Sequence, residues 1–168
     1  MRPGDVVVQD RGDARLANFV HARGKDSAFI TRIGWRSVNL FDAAGARFDL
    51  IAALPEHGPA IVEHAVRIGA GQAATPARLI LARKPAEAVE RQQQRLWRKA
   101  SKKGQQTDPR TIKAAGFMRL VTSLPPDQAS AEEIIGLYRL RWQIELAFKR
   151  LKSLAAEKSG RLRRMTRR

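Results

Sequence analysis

Apolar and polar positions alternate over short stretches in the first half of the chain, which predicts a run of β-strands. Three β-branched valines followed by a glutamine at 6–9 predict a buried strand that places Asp10 at its C-terminal end. Residues 14–23 predict a short helix that Gly24 ends. Further strands are predicted over 29–33, 63–68 and 78–82, and a hairpin over 38–41 and 47–50 with its turn at 42–45.

The second half of the chain changes to helical patterning. Residues 85–103 predict a polar, basic helix with Pro85 in its first turn, followed by a flexible break at 104–109 and a strand at 117–123. Ser130 and Glu133 have the spacing of a capping box, which predicts the start of a long helix that runs to about residue 157. The order of elements indicates a mixed α/β fold with a β-rich block in its middle.

Composition is typical of one globular domain. The chain has 168 residues, of which 43% are hydrophobic, enough to form a core. It has no apolar run long enough to span a membrane, and its first residues do not resemble a signal peptide. Cysteine is absent, which excludes disulfides and thiol catalysis and favours a cytoplasmic location. The three histidines are scattered, which does not favour a histidine metal site.

Net charge is the strongest compositional signal. Lys and Arg number 32 against 16 Asp and Glu, giving a formal net charge of +16. This imbalance favours a polyanionic partner, most often nucleic acid. An anionic membrane surface is the main alternative, but no basic stretch has the broad apolar face that lies in a membrane interface. A basic surface that only aids solubility is the other.

The predicted long helix carries a polar stripe beside an apolar one. Tyr138, Arg141, Glu145 and Lys152 fall within about 60° of one another at the helical angle per residue. The neighbouring apolar stripe, expected to pack on a sheet, consists of Leu137, Leu140, Ile144, Phe148 and Leu151.

Glu145 has two interpretations. It can pair with Arg141 or Lys149 at four-residue spacing in a solvated ion-pair ladder. Alternatively, it can hold Mg²⁺, with the neighbouring cations binding DNA phosphates beside the metal.

The spacing Tyr138-x2-Arg141-x3-Glu145-x6-Lys152 resembles the tyrosine-arginine-glutamate-lysine signature of one branch of the DDE transposases of bacterial insertion sequences. In that family the second catalytic Asp ends a strand and is followed by one residue, a Gly and an aromatic. Asp10 matches this pattern as far as Gly12, and Asp13 replaces the aromatic.

The resemblance implies an α/β fold of the ribonuclease H-like type, here partial, with a β-rich insertion at about 29–82 before the final long helix. Residues 1–154 would be the C-terminal part of the catalytic domain, and 155–168 a basic tail. The implied catalytic metal ligands are Asp10 and Glu145, holding Mg²⁺ or Mn²⁺. The residues expected to contact transposon-end DNA are Tyr138, Arg141, Trp142, Lys149 and Lys152. Trp142 could stack on an unpaired base or be a core aromatic.

The family's first catalytic Asp has no counterpart in this chain, because Asp5 begins the strand that Asp10 ends. We therefore expect a truncated transposase that binds DNA but neither cuts nor joins it alone. The resemblance also implies dimers that act on paired transposon ends. A cytoplasmic, nucleoid-associated location in a bacterium is expected. Two other functions remain open: a non-enzymatic nucleic-acid-binding protein that uses the basic helix and tail, and a functionless pseudogene remnant.

Overall fold

The computed structural model describes residues 2–71, 74–141, 143, 144, 146, 147, 150 and 153. The chain divides into two compact units, Met1–Ile134 and Ile135–Arg168. The first unit contains a six-stranded mixed sheet with helices, which confirms the predicted mixed α/β class. No helix in the described part of the chain is long and apolar enough to cross a membrane.

The elements follow the predicted order closely. The strands are β1 (Val6–Gln9), β2 (Ala28–Arg32), β3 (Leu40–Phe41), β4 (Ile61–Ile68), β5 (Thr75–Arg83) and β6 (Phe117–Thr122). The helices are α1 (Leu16–Gly24), α2 (Ala86–Ser101), α3 (Pro109–Ala115) and α4, which includes residues 131–141. A 3₁₀ turn over Arg11–Asp13 follows β1.

The strand order across the sheet is β1-β2-β6-β5-β4-β3. Among the strand pairs that the structure describes, only β1–β2 is parallel, and α1 provides the crossover that a parallel pair requires. Phe19 of α1 is fully buried, and its ring lies 5.0 Å from that of Phe29 in β2. This aromatic pair fixes the crossover helix to the sheet.

The pairing of β4 with β5 is longer than the apolar pattern predicted. Eight residue pairs run from Ile61↔Ala82 to Ile68↔Thr75. The connection leaves β4 through Gly69, whose φ of +81° favours glycine. A Cβ on Gly69 would lie 2.7 Å from Cδ1 of Leu16, so this turn also packs closely against α1.

The predicted hairpin at 38–50 is much shorter than expected. β3 pairs with β4, and its only link to the second half of the expected hairpin is a single bridge between Phe41 and Arg47. The turn itself forms, because the Asp42 carboxylate accepts from the amide of Ala46. The Asp49 carboxylate accepts from the amides of Ile51 and Ala52. The turn formed by these hydrogen bonds prevents the chain from continuing as the second strand of the hairpin.

Helix α3 lies where the sequence predicted no element. Asp108 caps it by accepting from the amide of Arg110, and Pro109 occupies the first turn. Trp35 holds this helix against the end of β2 by donating from Nε1 to the Thr111 hydroxyl at 3.2 Å.

The start of α4 confirms the predicted capping box. The Glu133 carboxylate accepts from the Ser130 amide at 2.8 Å, and the Ser130 hydroxyl accepts from the Glu133 amide at 3.2 Å. The apolar phase of the helix differs from the prediction, because Leu137, Leu140 and Ile144 are exposed. The buried positions are Ala131, Ile134, Ile135 and Tyr138. Their spacing of three and four places them on one face of the helix, about 100° away from Leu137.

The strands expected in a β-rich insertion share one sheet with the strands outside it. Of the strands at 29–82, β2 pairs directly with β1 and β6, and β5 pairs with β6. The insertion boundaries and the 155–168 tail stay predictions, and residues 154–168 lie outside the described residues.

Candidate active site

Asp10 lies immediately after β1, at the position that the sequence predicted. Its carboxylate caps the 3₁₀ turn, with Oδ1 accepting from the Arg11 amide at 2.6 Å. Asp13, which replaces the aromatic residue of the family pattern, donates its amide to the Asp10 carbonyl at 3.0 Å. Because Asp10 is exposed at the end of a strand, its carboxylate can be reached by a ligand from solution.

The strand that carries Asp10 forms one edge of the sheet, with β2 as its neighbour. Gln9 is paired with Thr31 in the parallel register, so Asp10 and Arg32 follow side by side. The Thr31 hydroxyl donates to Oε1 of Gln9 at 2.9 Å, which ties the two strand ends together. The backbone of Asp10 therefore lies next to the strand end that carries Arg32.

Arg119, near the start of β6, is a functional candidate that sequence reasoning missed. Its residue surface is only 7% exposed. The guanidinium donates to the main-chain carbonyls of Ala114, Phe117 and Ile33, at 3.1 Å for Phe117 and 3.4 Å for Ile33. A buried positive charge is therefore held by carbonyl dipoles rather than by a carboxylate.

Lys84, just beyond β5, is the second missed cation. Its ammonium donates to the Ala115 carbonyl at 2.7 Å. The pKa of Lys84 is lowered to about 8, chiefly by burial and then by the positive charges of Arg119 and Arg32. The pKa of Arg119 is lowered to about 10, first by burial and then by Arg32 and Arg11. The sequence shows a basic residue near one end of each of four strands, but it does not show that these four strand ends lie side by side.

Two of the expected DNA-binding residues lie in the described part of α4. Tyr138 is 6% exposed, and Arg141 is half-buried. The other expected site residues, Trp142, Glu145, Lys149 and Lys152, lie outside the described residues. The approach of Glu145 to Asp10 therefore stays a prediction.

The described residues contain no group of three or more carboxylate, histidine or cysteine side chains that could hold a metal ion. Glu145 is the candidate metal ligand that the spacing pattern provides.

Comparison with known proteins gives a family match over residues 4–167, to the model described as the Transposase DDE domain. The chain is 39% identical over 162 residues to the transposase for insertion sequence element IS421 of Escherichia coli. It is equally similar to InsL of Escherichia coli strain K12, described as a transposase for insertion sequence element IS186A. Both alignments cover 89% of this chain and 42% of the relative, so the chain spans about two fifths of these relatives' length.

Proposed function

The chain belongs to the Transposase DDE domain family, and from that premise we propose that it functions in DNA transposition. The proposed activity of the intact protein is metal-dependent cleavage of transposon-end DNA followed by strand transfer. Asp10 and Glu145 serve as two of the catalytic carboxylates. The observation that carries this assignment is the position of Asp10, exposed at the end of an edge strand and beside Arg32.

The donor chemistry at Asp10 fits Mg²⁺ or Mn²⁺, because both ions prefer hard oxygen ligands such as carboxylates. When bound, such ions polarise phosphate oxygens and activate the attacking oxygen. The chain's own part is to fix the carboxylate. The Arg11 amide does this by holding Oδ1 in the turn that follows β1.

The fold proposed for the catalytic domain is of the ribonuclease H-like type. The parallel β1–β2 pair, its α1 crossover and an acidic residue at the end of β1 support this assignment.

The proposed DNA contacts on α4 are Tyr138, Arg141, Trp142, Lys149 and Lys152. Arg and Lys bind phosphate oxygens, and an aromatic ring stacks on bases. Tyr138 is only 6% exposed, so only a small part of this residue can reach DNA. The partner is transposon-end DNA, bound by a dimer in the intact protein.

Residues 1–168 by themselves are proposed to bind DNA without cutting it. The family requires three carboxylates, and Asp10 and Glu145 supply two. Mg²⁺-dependent nicking by the purified chain, abolished in Glu145→Ala, would refute this part of the proposal.

Iron-directed cleavage tests the metal site directly. Fe²⁺ occupies Mg²⁺ sites and, with ascorbate and peroxide, generates radicals that cut the chain near its ligands. Cuts are expected near Asp10 and near Glu145, and both should be lost in Asp10→Asn. Asp26→Asn removes an exposed carboxylate near the opposite end of β2 and is the matched control. Equal cleavage of Asp10→Asn and wild type would overturn the assignment.

A non-enzymatic nucleic-acid-binding function has one observation in its favour. Helix α2 has no buried residue. Its basic residues are Arg91, Arg95, Arg98 and Lys99. If replacing these four residues with Gln abolishes DNA binding while Asp10→Asn leaves iron-directed cleavage unchanged, the alternative holds.

A further inference from the structure

Four adjacent strands of the sheet, β1, β2, β6 and β5, each have a positively charged residue near the same end of the sheet. Arg11 follows β1, Arg32 ends β2, Arg119 lies near the start of β6, and Lys84 follows β5. We call these four residues the cation row. Asp10 lies at one end of it, beside Arg11.

The strand registers place the four residues of the cation row at the same end of the sheet. Antiparallel β2 and β6 pair Arg32 with Leu120, and the Arg119 carbonyl accepts from the Ile33 amide at 3.0 Å. On the other side of β6, the Lys84 amide donates to the Gly116 carbonyl at 2.9 Å. With strands about 4.8 Å apart, the row extends about 14 Å across the four strands.

The positive charges in the cation row influence one another. Arg32 and Arg11 lower the pKa of Arg119, and Arg119 and Arg32 lower that of Lys84. Among the described residues, none of the four forms an ion pair with a carboxylate. Positive charge is therefore concentrated at this end of the sheet, and a bound anion would stabilise it.

The carbonyls at the end of α3 make this arrangement possible. Arg119 donates to Ala114, and Lys84 donates to Ala115, so both cations face the negative end of the same helix. Carbonyl dipoles satisfy the donors but carry only partial charge, so the row remains positive. Arg11 is exposed and Arg32 and Lys84 are half-buried, which leaves three members within reach of a ligand.

We propose that the cation row binds successive phosphates of a DNA strand and leads that strand to Asp10. The inference rests on the proposed transposase function and assigns DNA-binding residues outside the signature helix. The length of the row, about 14 Å, equals the axial rise of about four nucleotides in one strand of B-DNA. Arg11, Arg32 and Lys84 contact phosphate oxygens, while buried Arg119 is a positioning residue that adds positive potential from beneath.

The first test compares variants that each lose one positive charge, either in the cation row or at the opposite end of β2. Arg32→Gln and Lys84→Gln remove row members, and Lys25→Gln removes an exposed cation that lies before the start of β2. Binding to a short fluorescein-labelled DNA duplex is measured by anisotropy at several salt concentrations. A thermal melt of each variant checks that it is folded.

Each row variant should bind DNA about tenfold more weakly at low salt, and the slope of log affinity against log salt should decrease by about 0.9. Lys25→Gln should match wild type within about twofold. If Arg32→Gln and Lys84→Gln behave like Lys25→Gln, the proposal is wrong.

Iron-directed cleavage distinguishes this failure from failure of the proposed function. Lys84→Gln should retain cuts near Asp10 and Glu145, because Lys84 follows β5, three strands away from β1 and Asp10. If the wild-type chain is not cut but Arg32→Gln and Lys84→Gln weaken DNA binding as expected, the proposed metal site is wrong and the DNA-binding role of the cation row stands.

Proton uptake provides a second readout that a purely structural role would not give. A phosphate beside Lys84 raises its pKa, so DNA binding near pH 8 should take up protons. Calorimetry in two buffers of different ionisation enthalpy measures this uptake, which Lys84→Gln should reduce. No difference between the two proteins would contradict a phosphate contact at Lys84.

Inorganic phosphate serves as the probe for a simple anion site. At millimolar concentration it should displace the duplex no more than chloride does at equal ionic strength. Saturable displacement of the duplex by phosphate would show that the cation row is a site for a free anion rather than for a DNA strand, and would overturn the proposal.

Discussion

Asp10 and Arg32 leave the sheet side by side, because Gln9 and Thr31 are paired in the parallel β1–β2 ladder. A carboxylate and a guanidinium at neighbouring strand ends suit a site that holds a cation and a phosphate at once. The carboxylate would share in metal binding, while the guanidinium would neutralise charge on the DNA.

Arg119→Met should destabilise the protein by about 2 kcal/mol. The guanidinium donates to three main-chain carbonyls in a buried setting, and methionine leaves those acceptors without a donor. Urea denaturation followed by circular dichroism measures the free energy of unfolding. Arg119→Lys, which keeps one donor group and the charge, should lose less. A loss below about 0.5 kcal/mol for Arg119→Met would show that these hydrogen bonds contribute little net stability.

The ion pair between Arg78 and Glu63 should respond unequally to removal of its two partners. The Arg78 side chain is 11% exposed, and its Nη1 also donates to the carbonyls of Leu124 and Ala129. Glu63 is 39% exposed, so its part is screened by solvent. Arg78→Ala should cost about 2 kcal/mol and Glu63→Ala below about 1 kcal/mol. Equal losses in thermal or urea unfolding would contradict this asymmetry.

Stability should increase with pH through the titration of Lys84. Its pKa is lowered to about 8 in the folded protein, so the folded state disfavours the charged form. Below pH 8 that penalty is fully present. Between pH 8 and the ordinary lysine pKa of 10.5 the unfolded chain binds more protons, so the free energy of unfolding rises with pH.

Because Lys84 is partly exposed, the gain should be about 1 kcal/mol relative to Lys84→Met, which cannot titrate. Urea unfolding of both proteins at pH 7 and pH 10 measures the difference. A constant difference between wild type and variant across this range would rule out a perturbed Lys84.

DNA binding by the whole chain should depend steeply on salt. If the cation row and α4 together neutralise about six phosphates, affinity should fall about a thousandfold between about 50 mM and about 200 mM salt. Anisotropy titrations with a labelled duplex measure this directly. Affinity that stays constant over the same range would exclude phosphate contacts as the main source of binding.

Local patterns predicted most of the strands and the position of Asp10 at the end of β1, because alternation, glycine turns and capping residues act over a few positions. They could not predict that β6 inserts between β2 and β5, since this order depends on contacts between residues far apart in the chain. The cation row follows from that order, which is why Arg119 and Lys84 were not recognised from the sequence.

The phase of α4 shows a second limit. Leu137 and Tyr138 are both plausible interior residues, and the sequence analysis favoured the leucine stripe. The buried stripe instead continues from Ile134 and Ile135 to Tyr138. In α3, the Asp108-Pro109 pair was a valid start signal that the surrounding polar residues obscured.

The central claim is that Asp10 and Glu145 share a divalent metal site. A crystal structure of this chain grown with Mn²⁺ tests it most directly, because the anomalous signal locates the ion and the model gives the separation of the two carboxylates. We expect a Mn²⁺ ion bound by both, with the carboxyl groups within about 4–8 Å of each other. Carboxylates far apart, or Mn²⁺ bound elsewhere, would contradict the account.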